Sequence, residues 1–148
     1  MKDKEFIVRQ ISVFLDNRPG SLAEMARYLA KKDINLRALS LAETRDFGTA
    51  RLIVADTAHC VRALREGGYN FMETDVLAVE VADRPGGMAD VLEIIADEQI
   101  NVEYVYATVG RIKESAVIIL RVEDPGKAGI ILRSKGIKLL GEKDIELL

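Results

Sequence analysis

The chain offers little for metal or redox chemistry: its 148 residues hold one cysteine, Cys60, one histidine, His59, and no tryptophan. A lone cysteine closes no internal disulfide, which fits a reducing cytoplasm. One histidine and one cysteine make no recognisable transition-metal cluster. His59 is expected as an exposed residue in the first turn of a helix, and Cys60 as a small, unreactive helix residue. No apolar run reaches the roughly 18 residues of a membrane span. The N-terminal stretch MKDKEFIVRQ is charged and has no apolar h-region, so it does not read as a secretory signal. An excess of positive charge is missing too. With a net charge of −3 and a pI near 5.3 there is no footprint for nucleic acid or anionic lipid. No Walker-type loop, G-x-S-x-G elbow or nucleophile beside a base is present. Catalysis, a bound metal and a cofactor are therefore not expected.

What the chain does have is a repeat. DNRPGSLAEM at residues 16 to 25 returns as ADRPGGMADV at residues 82 to 91. Pro19 and Pro85 lie 66 residues apart, and so do Gly20 and Gly86, Ile34 and Ile100, and Asn35 and Asn101. Later matches, Asp56 with Asp124 and Gly68 with Gly136, lie 68 apart, which a longer hairpin in the second copy explains. Each half has about 70 residues, small enough to lean on the other for stability. The expected domains are 1–75 and 76–148, packed tightly, since no Gly/Ser/Pro linker separates METD from VLAVEV.

Local patterns give each copy the same order. Ile11, Val13 and Leu15 alternate with Ser12 and Phe14 as a strand requires. After the Arg-Pro-Gly corner, Leu22, Met25, Ala26 and Leu29 recur at helical spacing, and Ser21 with Glu24 reads as a capping box. INLRALSLAET is extended, RDFG a turn, and TARLIVA a third strand with Ala50, Leu52 and Val54 on one face. Asp56 is the N-cap of a second helix that Gly67 and Gly68 end. YNFMETDVLAVEV then runs straight into the next copy. There Leu77, Val79 and Val81 share a strand face, Met88, Val91, Leu92 and Ile95 a helix face, and Asp124 with Pro125 opens the last repeat helix. The unit is βαββαβ. The predicted fold is α+β: two ferredoxin-like units, each an antiparallel sheet with its helices on one face.

A βαββαβ unit with Asn-Arg-Pro-Gly closing its first strand and INL or INV opening the second resembles the ACT domain, the amino-acid-sensing module of metabolic enzymes. The resemblance covers nearly the whole chain, twice, and implies a stand-alone tandem pair, similar to the regulatory domain of serine-inhibited phosphoglycerate dehydrogenases. It implies a ligand gripped between an Asn before Arg-Pro-Gly and an Asn opening the second strand. Asn17, Asn35 and Asn101 match, whereas Asp83 replaces the Asn of the second corner. One expected pocket combines Asn17, Arg18, Gly20, Ser21 and Leu22 with Asn101. The other combines Asp83, Gly86, Gly87 and Met88 with Asn35. Elementary chemistry fits a carboxylate there, because proline and glycine shape a tight corner and the helix behind it offers N–H groups and partial positive charge.

The expected function is a non-catalytic regulatory protein that binds a free amino acid and signals occupancy to a partner, a metabolic enzyme among the candidates. The alternative is a constitutive protein-interaction module with vestigial ligand sites. Its sequence basis is the apolar set Phe14, Ile53, Val117 and Ile119, expected on the open face of the sheets. The same set motivates a homodimer. Tyr104 and Tyr106 share a strand face and are expected to pack against a neighbouring surface. An RNA-binding sheet lacks its aromatic and basic pattern here, and an acylphosphatase-type loop lacks its basic cradle.

Overall fold

A computed structural model describes residues 5–43 and 46–148. In chain order it contains β1 (Ile7–Asp16), α1 (Ser21–Lys31), β2 (Leu36–Glu43), β3 (Phe47–Val54), α2 (Thr57–Glu66), β4 (Asn70–Ala82), α3 (Gly87–Asp97), β5 (Val102–Ile112), β6 (Ser115–Val122), α4 (Pro125–Ser134), β7 (Leu139–Leu140) and α5 (Glu142–Glu146). Two compact units divide it: Arg9–Thr74, and Met1–Val8 with Asp75–Leu148. Among the described residues no helix is long and apolar enough to cross a membrane.

In the Arg9–Thr74 unit, β3 lies antiparallel between β1 and β2, with Leu52 facing Ile11 on one side and Leu39 on the other. β4 pairs with β1, where Arg9 and Glu73 form an ion pair at 3.2 Å. The alternation of β1 and β3 delivers Ile11, Val13, Leu15, Ala50, Leu52 and Val54 to one apolar layer, against which α1 sets Met25 and Leu29 and α2 sets Cys60 and Leu64. Fully burying such a side chain contributes about 1.5–3 kcal/mol. That layer, rather than helix propensity, holds two short helices in place.

The second unit repeats the plan. β6 lies antiparallel between β4 and β5, with Leu77 opposite Leu120 and Val79 opposite Ile118. β7 adds to the other edge of β4. Leu77, Val79, Ile118 and Leu120 meet Val91 and Ile95 of α3 and Ala128 and Leu132 of α4. The change of offset between the copies has a visible origin. β5 slips register against β6 between Ala107 and Arg111, so a longer hairpin absorbs the extra residues.

The α+β content, antiparallel pairing and βαββαβ order are as expected. Asp56 and Asp124 cap α2 and α4 by accepting the amide hydrogens of His59 and Lys127, both at 3.1 Å, and Pro125 stands in the first turn of α4. From its second residue onward the stretch YNFMETDVLAVEV is one unbroken strand: Tyr69 precedes β4, which runs 13 residues, Asn70–Ala82. Its residues through Thr74 fall in one unit and those from Asp75 in the other.

Several expectations need correction. Ile53, Val117 and Ile119 are buried rather than exposed, at 0–1% accessibility, and belong to neither helix-facing cluster. Unbroken apolar runs such as Val117-Ile118-Ile119-Leu120 mark strands buried on both faces. Phe14 is half-buried, edge-on to Phe47 at 6.3 Å. Met88 is exposed, not part of the buried helix face. β3 starts at Phe47, so RDFG is not all turn; Thr44 and Arg45 of these stretches lie outside the described residues. His59 is half-buried, its Nε2–H donating to the Lys32 carbonyl at 2.7 Å and so joining α2 to the end of α1.

One contact near the chain start is a test of the packing. Phe6 is buried against α4, and a Cβ on Gly129 would run into its ring. Gly129→Ala should lower stability by about 1–3 kcal/mol, the usual cost of overpacking. Phe6→Ala alone should cost about 3–5 kcal/mol. In urea unfolding the double variant should lose clearly less than both losses together, because the substitutions share one contact.

Candidate functional site

Each Arg-Pro-Gly corner turns a strand end into a helix start within four residues. In the first, Arg18 N–H donates to Asp16 O at 3.0 Å and Ser21 N–H to Arg18 O at 3.3 Å. In the second, Arg84 N–H donates to Ala82 O at 2.9 Å and Gly87 N–H to Arg84 O at 3.0 Å. Gly20 and Gly86 both sit at φ 85°, in the left-handed region where a side chain is strained. They are the N-caps of α1 and α3. Glycine as the fourth corner residue lets the turn close without that strain.

That choice has a chemical consequence. An N-cap side chain normally accepts from the second or third helical N–H, and glycine has none. Accordingly α1 and α3 have no side-chain cap from their N-cap residues, whereas α2 and α4 are capped by aspartate carboxylates. The predicted capping box is thus absent: the helix starts one residue earlier than a serine cap requires, placing Ser21 inside it. Ser21 and Gly87 are buried and Leu22 is half-buried, while Asn17, Arg18, Gly20, Asp83, Gly86 and Met88 are exposed. The second corner is the tighter one, since a Cβ on Gly87 would run into the Ala82 carbonyl.

The acids of the first helical turn are engaged elsewhere. Glu24 Oε2 accepts from Arg18 Nη2 at 2.8 Å, and Asp90 Oδ2 from Arg84 Nη2 at 2.8 Å. The hydrogen bond from Arg18, reinforced by its charge, holds the Glu24 carboxyl below its ordinary range and raises the guanidinium in turn. Sequence reading missed these pairs. Their signal was available as an acid six residues after each corner arginine, matched between the copies.

Asn35 and Asn101 stand exposed between helix and strand in matching positions. Each stands two residues after a left-handed one, Asp33 at φ 60° and Gln99 at φ 57°, and each precedes a register shift at the start of its strand. Asn101 opens on a cleft of about 580 Å³ lined by Gln99, Ile100, Glu103, Glu123, Asp124 and Lys127, with no wall from the Asp83–Met88 corner. Tyr104 and Tyr106 stack at 6.4 Å, both half-buried. Burial pushes the Cys60 thiol up to about 11, which leaves no thiolate at neutral pH.

The Arg18–Glu24 pair yields a titration test. A carboxyl whose pKa is lower in the folded state contributes stability above its unfolded value, and this is lost as pH falls through the folded value. Carbon-detected NMR should find Glu24 titrating below ordinary glutamates, and Arg18→Ala should bring it back up. Since the pair is exposed, the melting temperature should change little.

Comparison with known proteins is in accord with this geometry. The family model described as ACT domain pair matches residues 6–148. A solved protein from Bacteroides thetaiotaomicron is 34% identical, with 97% of this chain and 98% of that chain covered and a TM-score of 0.89. The ligand-free regulatory subunit of aspartate kinase from Thermus thermophilus shares 16% identity over 88% of this chain and 92% of its own, at a TM-score of 0.62. The corresponding subunit from Thermus flavus is 18% identical over 85% and 88%, at 0.60. These two likenesses concern the fold. Among curated proteins none matches the chain at a significant level. The family match over nearly the whole chain, and the Bacteroides relative aligned end to end, establish that this protein belongs to the ACT domain pair family.

Proposed function

We propose that the chain is a non-catalytic sensor that binds a free amino acid at its Arg-Pro-Gly corners and passes occupancy to a partner protein, with a metabolic enzyme as the natural candidate. In this reading each copy is a ferredoxin-like sandwich, and the protein acts in the cytoplasm as a homodimer. One observation carries it. Among the four helices that the two copies share, two begin under an aspartate carboxylate, while two begin under a glycine with no side-chain cap. A helix start of the second kind suits an external carboxylate, which brings the charge that the first kind supplies internally.

An amino acid also needs acceptors for its ammonium. Asn17 offers an amide carbonyl and Asp83 a carboxylate. A charge-assisted bond is roughly twice as strong as a neutral one, so the two corners should differ in affinity. Asn35 and Asn101 add amide donors and acceptors beside the second strand of each copy. Gly20, Gly86 and Gly87 act through the backbone, and Leu22 and Met88 set the apolar boundary that a ligand side chain meets.

The other reading is a constitutive interaction module with vestigial ligand sites. It is favoured by Leu39 and Leu41, 41% and 50% exposed along one side of β2. The two readings separate by mass action, because a ligand at 100 times its Kd raises stability by about 2.7 kcal/mol. Melting scans against the twenty amino acids at millimolar concentration should show a rise with one or a few of them; no rise with any supports the interaction module. With the ligand in hand, Asn17→Ala or Asn101→Ala should weaken binding several-fold to tenfold in calorimetric titration, about 1 kcal/mol, with little effect on the melt.

A further inference from the structure

Each corner holds a cation whose present partner is an acid of its own helix. Arg18 meets Glu24 fork to fork, Nη2 to Oε2 at 2.8 Å and Nη1 to Oε1 at 3.5 Å, with Asp16 Oδ2 at 3.8 Å from its Nε. Arg84 meets Asp90 Oδ2 at 2.8 Å through Nη2 and donates from Nη1 to the Pro85 carbonyl at 3.0 Å. The arrangement recurs at the same place in both copies although the acid changes from glutamate to aspartate. All four side chains are exposed, between 50% and 63%. Exposed pairs of this kind are weak and exchange partners readily.

A guanidinium placed at a helix N-terminus faces the positive end of the dipole and needs an anion beside it. In each corner the first-turn acid supplies that anion. A ligand carboxylate arriving at the same helix start brings the same planar, two-oxygen group that the arginine fork fits.

We propose that Arg18 and Arg84 are ligand-contacting residues, and that Glu24 and Asp90 are internal competitors which a ligand carboxylate displaces from the guanidinium. This rests on the amino-acid-binding reading above. The exchange leaves the arginine charge compensated throughout, and releases Glu24 or Asp90 into solvent as a free carboxylate. The two corners differ in what must be given up: Arg18 trades one fork for another, while Arg84 is additionally tethered to Pro85. The internal acids therefore set how much ligand is needed for occupancy.

The test uses the isotope-labelled full chain titrated with an equimolar mixture of the twenty amino acids. The amides of Leu22 or Met88 should shift together with the side-chain carboxyl carbon of Glu24 or Asp90, at the same ligand concentrations. Glu24→Gln should tighten apparent binding about two- to fivefold, the range expected for removing one exposed competitor. Glu24→Asp, which keeps the charge and copies the second corner, should stay near the parent affinity. Asp16→Asn removes a neighbouring carboxylate without breaking the fork and serves as the control for charge alone. If the corner amides respond while the carboxyl carbons do not, or if Asp16→Asn tightens binding as much as Glu24→Gln, the exchange is wrong although amino-acid binding stands. If no amide responds anywhere, amino-acid binding fails and the exchange falls with it.

Discussion

Each Arg-Pro-Gly corner places one of its four residues in the left-handed region, and that residue is glycine in both copies, at φ 85°. The rest of each unit follows from this corner. The proline before it presets its own φ, the corner bonds back to the strand end, and α1 or α3 leaves at an angle that lays its apolar stripe over the sheet. Alanine at Gly20 or Gly86 would have to adopt the same φ at a steric cost of about 1–2 kcal/mol. The corner is thus where backbone geometry, core packing and the chemistry of the helix start are decided together.

The four helices α1 to α4 begin in two ways, and the difference divides each copy. α2 and α4 start with an aspartate whose carboxylate satisfies the first turn. α1 and α3 start with a glycine that satisfies nothing by its side chain, and the nearby acids turn outward to an arginine. Stability alone favours the aspartate solution, since a good N-cap contributes about 0.5–2 kcal/mol over one without a side-chain acceptor. Leaving it out twice, at matching positions, separates helix starts closed by a carboxylate from helix starts without a side-chain cap.

Much of the fold was legible because burial has a period. Ile11, Val13 and Leu15 announce a strand with one buried face, and Met25 with Leu29 a helix stripe; all lie in one cluster. The Asp56 and Asp124 caps were legible because an aspartate before a helical pattern has one dominant use. The candidate site was less so. The family resemblance singled out Asn17, Asn35, Asp83 and Asn101 as candidates, but a capping box at Ser21 and Glu24 fits the letters as well as the Arg18–Glu24 pair does, and only the left-handed Gly20 decides between them. Period two shows which side of a strand a residue faces, not what covers that side; hence Ile53, Val117 and Ile119 were placed on the correct face and given the wrong exposure. The bond from His59 to Lys32 joins residues 27 apart in sequence, and no local pattern carries it.

Phe6 is buried with Ala128 and Leu132 of α4, which are made about 120 residues after it. At about 5–20 residues per second, that distance corresponds to something like 6 to 25 seconds of synthesis. Through that interval the Phe6 ring lacks the α4 side of its native surroundings. The core of this unit therefore closes late, and a nascent chain stalled before α4 leaves the Phe6 ring without the helix that covers it, within reach of chaperones and of other chains.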